Sequence, residues 1–157
     1  MKVLMVCLGN ICRSPMADGL LRKKVEEEGL AVEVDSAGTG DWHVGQAPDD
    51  RMRETGKQFG VPIDHLRGRQ YEVADFDRFD RIYVMDKSNY KNVVSLARSN
   101  KDRDKVELIL NLSSPGKDLE VPDPYFGGDE GFKSVFKMLD EATDIIIDEI
   151  KTINGKS

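Results

Sequence analysis

Apolar and polar positions along this chain fall into short unbroken runs, alternating stretches and one long helical stripe, and each predicts an element. Val3-Leu4-Met5-Val6 has no polar interruption, as expected of a central parallel strand covered on both faces. Ser14 before Pro15 then opens a helix from Met16 to about Glu28, with Ser14 as its cap. In Ala31 to Ala37, Val32 and Val34 alternate with Glu33 and Asp35, a second strand that ends in the loop Ser36-Ala37-Gly38-Thr39-Gly40. Pro48-Asp49-Asp50 starts a helix to about Phe59, and Gly60-Val61-Pro62 stops it. Asp64 to Phe79 is charged and irregular, with one helical turn around Ala74-Asp75-Phe76. Asp80 to Met85 forms a third strand, followed by a helix of about ten residues capped at Asp86-Lys87-Ser88-Asn89. Lys105 to Asn111 makes a fourth strand. Asp129 to Ile153 is the closing helix, with Phe132, Val135, Phe136, Leu139, Ile146 and Ile150 on its apolar face.

Strand and helix alternate throughout, and the connections are long enough for right-handed crossovers. The economical architecture is one α/β domain over residues 1–157, a doubly wound parallel sheet with helices on both faces. A chain of 157 residues can bury a real core but not two ordinary domains. Lys and Arg number 23 against 29 Asp and Glu, a net charge of -6, so nucleic acid and anionic membrane are not expected partners and any phosphate site must be local. Met1 leads straight into the first strand, without a leader or an apolar run of membrane length. Two cysteines, Cys7 and Cys12, lie too close together to staple a fold, which reads as cytosolic. His43 and His65 are far from both in sequence, so zinc-ligand spacing is absent and no metal is expected.

Chemistry concentrates where the first strand breaks. Gly9 and Asn10 tolerate positive φ, so Leu8 to Arg13 can curl with their N–H groups inward at the head of a helix, an anion site. Cys7 lies at its mouth, where the nucleophilic thiolate is favoured and Ser14 can donate a hydrogen bond to the sulfur. Arg13 can reach back and hold two oxygens of a tetrahedral oxyanion. Residue type alone also allows a plainer reading, with Cys7 a small core side chain and Arg13 a surface cap. A phosphomonoester leaving group needs a proton, and Asp123 in Pro122-Asp123-Pro124-Tyr125 is the candidate, a carboxyl on a loop stiffened by two prolines. Pro-Asp-Pro is equally a common turn.

Cys-x5-Arg-Ser over Cys7 to Ser14, with Pro15 beside it, resembles the loop of the low-molecular-weight protein tyrosine phosphatases, and Asp123-Pro124-Tyr125 is similar to that family's general-acid loop. The resemblance spans essentially the whole chain and implies a four-stranded parallel sheet in the order 2-1-3-4. It also implies hydrolysis of protein phosphotyrosine and small aryl phosphates through a phosphocysteine, without a cofactor. Cys7, Arg13 and Asp123 would be catalytic; Leu8, Gly9, Asn10, Ile11, Cys12, Ser14, Trp42 and Tyr125 would bind substrate, inorganic phosphate or a similar oxyanion. Asp35-Ser36-Ala37-Gly38-Thr39 and Met85-Asp86-Lys87-Ser88-Asn89 resemble the ends of the family's second and third strands. His65 with Arg69-Gln70 approximates a family histidine at a different spacing, and Phe126 stands where some members carry a second tyrosine.

Several residues keep two readings. Trp42 is a loop anchor on the core or an aromatic wall; Asp86 is a helix cap or a residue of the ligand-binding sheet edge; Cys12 is a small buried thiol or a redox partner that shields Cys7 from over-oxidation. Rival functions separate on particular residues. A thioredoxin-coupled arsenate reductase on this fold needs cysteines downstream of Cys12, and none follows. Phosphoarginine phosphatases are similar in carrying Thr where this chain has Ile11, whose bulk suits a flat ring. A non-enzymatic phosphate-binding module needs neither Cys7 nor Asp123.

Overall fold

Four strands, β1 (Lys2–Cys7), β2 (Glu33–Gly38), β3 (Arg81–Val84) and β4 (Val106–Leu108), pair in parallel in the order β2-β1-β3-β4. The computed structural model describes residues 1–125 and 128–154, so Phe126 lies outside the described residues. β1 runs beside β2 from Lys2 opposite Glu33 to Cys7 opposite Gly38, and beside β3 from Val3 opposite Arg81 to Val6 opposite Val84. The sheet order implied by the resemblance is therefore the observed one, with β1 central.

The unbroken apolar run of β1 divides between two cores because successive side chains point to opposite faces. Val3, Met5 and Cys7 belong to a cluster with α1 (Arg13–Glu27), Met52 of α2 (Asp50–Gln58) and the apolar stripe of α6 (Asp129–Ile153). Leu4 and Val6 belong to the other, with Phe76 of α3 (Asp75–Arg78), Ile82 and Val84 of β3, and Val93 of α4 (Lys87–Val94). α6 spans the residues its periodicity predicts and packs against α1 and α2.

Local departures from expectation have local causes. α1 starts at Arg13 rather than Met16, and its cap position is Cys12, which makes no side-chain cap bond. Ser14 is not the cap: its hydroxyl is drawn to Cys7 and Asn10 instead of to a helix amide. The fourth strand is only three residues long, because Ile109–Asn111 closes into a 3-10 turn that buries Ile109 and Leu110. A short helix, α5 (Asn100–Asp104), precedes it, capped by Ser99; no apolar stripe announces it.

Candidate active site

Where β1 ends, the sheet order reverses direction around it, and the cleft at that edge is where such sheets place ligands. Cys7, 2% exposed, forms the floor of a cleft of about 180 Å³ lined by Leu8, Gly9, Ile11, Cys12, Arg13, Trp42, His43, Asp123 and Tyr125.

The loop between Cys7 and Arg13 is held in shape from below. Asn10 takes φ 57°, the left-handed conformation anticipated for it, and its N–H donates to Cys7 Sγ at 3.3 Å. Gly9 does not use positive φ. Its lack of a side chain serves close approach: a Cβ there would meet His43 Cδ2 at 3.1 Å. Asn10 Nδ2 donates to Ser14 Oγ at 2.8 Å and to Ser36 Oγ at 3.0 Å, while its Oδ1 accepts from the Arg69 amide at 3.0 Å. With one Ser14 lone pair so occupied, the hydroxyl can donate to Cys7 Sγ, 3.0 Å away. Asn10, Ser14 and Ser36 are all buried, so each unmade bond here would carry a full desolvation cost. Among the described residues, the N–H groups of Gly9, Ile11 and Cys12 donate to no protein acceptor. Backbone just beyond β2 closes the lower side: Thr39 and Gly40 N–H donate to the carbonyls of Cys7 and Leu8, both at 2.9 Å.

Arg13 does reach the cleft, nearly buried. Its Nη1 donates to Asp86 Oδ2 at 2.7 Å and to the Val121 carbonyl at 3.0 Å, and its Nη2 lies 3.8 Å from Asp123 Oδ2. Burial opposes the Arg13 charge, but Cys7, Asp86 and Asp123 outweigh it and hold its pKa above the usual guanidinium value. Both readings of Asp86 hold at once: Oδ1 caps α4 by accepting from the Asn89 amide at 2.8 Å, while Oδ2 pairs with Arg13. Asp123 has a side chain 40% exposed, with Oδ1 accepting from the Tyr125 amide at 3.0 Å.

Of the residues singled out from the sequence, Cys7, Leu8, Gly9, Ile11, Cys12, Arg13, Trp42, Asp123 and Tyr125 line the cleft, and Asn10 and Ser14 lie beneath it. Trp42 is not a core anchor: it is 65% exposed and stands on the rim. Burial, together with the charges of Asp49, Cys7 and Asp123, pushes the Cys12 thiol well above its ordinary value, and both cysteines are free thiols. His65 is exposed and does not line the cleft.

His43 was the unanticipated lining residue, brought over Gly9 and into the wall of the cleft by the loop after β2. Its Nδ1 pairs with Gln46 Oε1 at 2.8 Å. The role of Arg69, named only beside His65, was also missed, since its contribution to Asn10 comes from the main chain and no residue type announces it.

This constellation belongs with a known group of proteins. Residues 2–155 match the family described as low molecular weight phosphotyrosine protein phosphatase. The chain belongs to that family. Among its relatives, the low molecular weight phosphotyrosine protein phosphatase of Schizosaccharomyces pombe is 45% identical over 88% of this chain and 89% of its own. The low molecular weight protein-tyrosine-phosphatase of Streptomyces coelicolor is 40% identical over 90% of this chain and 88% of its own. Among solved structures, a protein tyrosine phosphatase from Entamoeba histolytica, with Hepes in its active site, superposes with TM-score 0.89 at 39% identity, covering 100% of this chain and 99% of that one. Among the described residues no helix is long and apolar enough to cross a membrane.

Proposed function

We propose that this phosphatase-family chain hydrolyses protein phosphotyrosine and small aryl phosphates through Cys7, Arg13 and Asp123. The observation that carries the reading is the position of Cys7 Sγ, held by Ser14 and the Asn10 amide at the floor of a cleft whose walls bring Arg13 and Asp123 within 3.8 Å of each other. Cys7 sulfur attacks phosphorus as the P–O bond to the phenol breaks, and Asp123 delivers a proton to the departing oxygen. Arg13 and the amides of Leu8 to Arg13 stabilise the charge on the three equatorial oxygens. Water then attacks the phosphocysteine, Asp123 takes its proton, and the Cys7 sulfur leaves with its electron pair. Each proton and electron pair is supplied by the chain or by water, so the cycle calls for no cofactor.

Leu8, Ile11, Trp42 and Tyr125 give the cleft its apolar walls, which suit an aryl ring. Gly9, Asn10, Cys12 and Ser14 complete the cradle for the phosphoryl group. Loss of p-nitrophenyl phosphate turnover in both Cys7→Ser and Arg13→Ala tests the assignment; retained turnover in either removes that residue from it. Preference for phosphoarginine over phosphotyrosine would overturn the substrate class. We place the chain in the cytosol, where both thiols stay reduced.

Cys12 extends the proposal to redox control. Peroxide oxidises Cys7 to a sulfenic acid, and the Cys12 thiol condenses with it, releasing water and forming a disulfide that a thiol reductant reopens. Recovery after peroxide that is unchanged in Cys12→Ser would remove this role.

A further inference from the structure

The Asp123 carboxyl sits on a short span between two anchors. On the N-terminal side the Val121 amide donates to the Met85 carbonyl at 2.8 Å, and Arg13 takes the Val121 carbonyl. Pro122 and Pro124 then contribute no N–H, so the main chain around Asp123 has little with which to fix itself. The tie on the other side comes from α2. Arg51 Nη2 donates to the Tyr125 carbonyl at 2.7 Å, and its guanidinium carbon lies 5.5 Å from the Tyr125 ring centre and 4.6 Å from that of Phe132. Arg51 is itself clamped: its Nε and Nη2 donate to the two carboxylate oxygens of Asp49, each at 3.2 Å. Asp49 caps α2, accepting from the Arg51 amide at 2.8 Å, and its own amide donates to the Ile11 carbonyl at 2.8 Å.

A continuous chain of hydrogen bonds therefore runs from the phosphate loop at Ile11, through Asp49 and Arg51, to Tyr125, whose amide holds Asp123 Oδ1. We infer that Arg51 is a positioning residue, fixing the Asp123 carboxyl relative to the loop that holds the phosphoryl group. This rests on the reading of Asp123 as general acid. A misplacement on the order of 1 Å at a proton donor costs roughly a hundredfold in rate, and the side chain of Asp123 is too exposed to be held by packing alone. A lysine could not replace Arg51, because one ammonium cannot grip both Asp49 oxygens, reach the Tyr125 carbonyl and cover the Phe132 ring at once.

Leaving-group dependence separates positioning from general loss of structure. The measurement is kcat/KM, which covers every step up to departure of the phenol, for phenyl phosphate and p-nitrophenyl phosphate in Arg51→Ala, Arg51→Lys, Asp123→Ala and the Arg51→Ala/Asp123→Ala pair. Phenyl phosphate, whose leaving group needs the proton, should fall about tenfold to a hundredfold in Arg51→Ala, with p-nitrophenyl phosphate falling about threefold or less. Arg51→Lys should stay close to Arg51→Ala, and the double variant should be no slower than Asp123→Ala. Equal loss on both substrates in Arg51→Ala, or additive losses in the double variant, would overturn the inference while leaving Asp123 as the acid. Absence of any gap between substrates in Asp123→Ala would overturn the acid assignment and the inference with it.

Discussion

Asp86 Oδ2 lies 2.7 Å from Arg13 Nη1, joining the end of β3 to the first residue of α1, and the same carboxylate caps α4 through its other oxygen. One side chain thus serves a helix start and a buried guanidinium. Arg13 is 3% exposed at its side chain, so its charge depends on such partners rather than on water.

The two duties separate by substitution. Asp86→Ala loses both cap and partner and should lower stability by roughly 3 to 4 kcal/mol in urea unfolding. Asp86→Asn keeps an oxygen for the Asn89 amide and should lie between wild type and alanine. A wild-type midpoint for Asp86→Asn would show that Arg13 gains nothing from the Asp86 charge.

For Asp123, removal of the carboxyl should slow phenyl phosphate by about 10² to 10⁴ and p-nitrophenyl phosphate far less, because a good leaving group departs without a proton. Equal slowing of the two in steady-state kinetics would rule out the acid role.

Gly38 supports the loop from β2 and makes a contact no side chain would allow. A Cβ there would lie 2.8 Å from the Leu8 carbonyl and 3.2 Å from the Asn10 amide nitrogen. Gly38→Ala should therefore displace the phosphate loop and cut kcat/KM for p-nitrophenyl phosphate by about tenfold or more. A variant of wild-type activity would show that the loop tolerates the shift.

Alkaline stability should report on Tyr83. Burial, only partly offset by Arg81, raises its phenol from 10.0 to about 12. Between those values the folded state holds a proton that the unfolded state has released, so stability falls as pH rises from 10 towards 12. The loss is on the order of 2 to 3 kcal/mol. Tyr83→Phe should remove that part of the decline in urea midpoints; an unaltered slope would place it in other groups, such as Tyr71 and Cys12, whose values burial also raises.

The fold was legible wherever one residue pattern had one physical solution. The unbroken run of β1 suits a strand covered on both faces, and the stripe of α6 suits a helix buried on one. Cys7 and Arg13 stood out as candidates because the loop between them has no structural need of either type, whereas Asp123, on a Pro-Asp-Pro that is equally a common turn, stood out through its likeness to the family's general-acid loop. What stayed hidden acts through main-chain atoms or long-range approach. The Arg69 amide on Asn10, the Arg51 link to Tyr125 and His43 over Gly9 depend on segments meeting in space, and their residue types are ordinary for a surface. Ser14 was misplaced as a cap for a related reason: Ser before Pro suits a helix start, but a thiol and an amide nearby compete for the same hydroxyl.

Because α1 begins at Arg13, the guanidinium is carried by a rigid rod whose side chains advance by about 100° per residue. Adding or deleting a single amino acid between Cys7 and Arg13 would change the length of the non-helical span that joins strand to rod, and with it the distance from the Cys7 sulfur to the guanidinium. The five-residue interval works as a mechanical gauge: chain variation that preserves chemistry is free to change side chains within it but not its length.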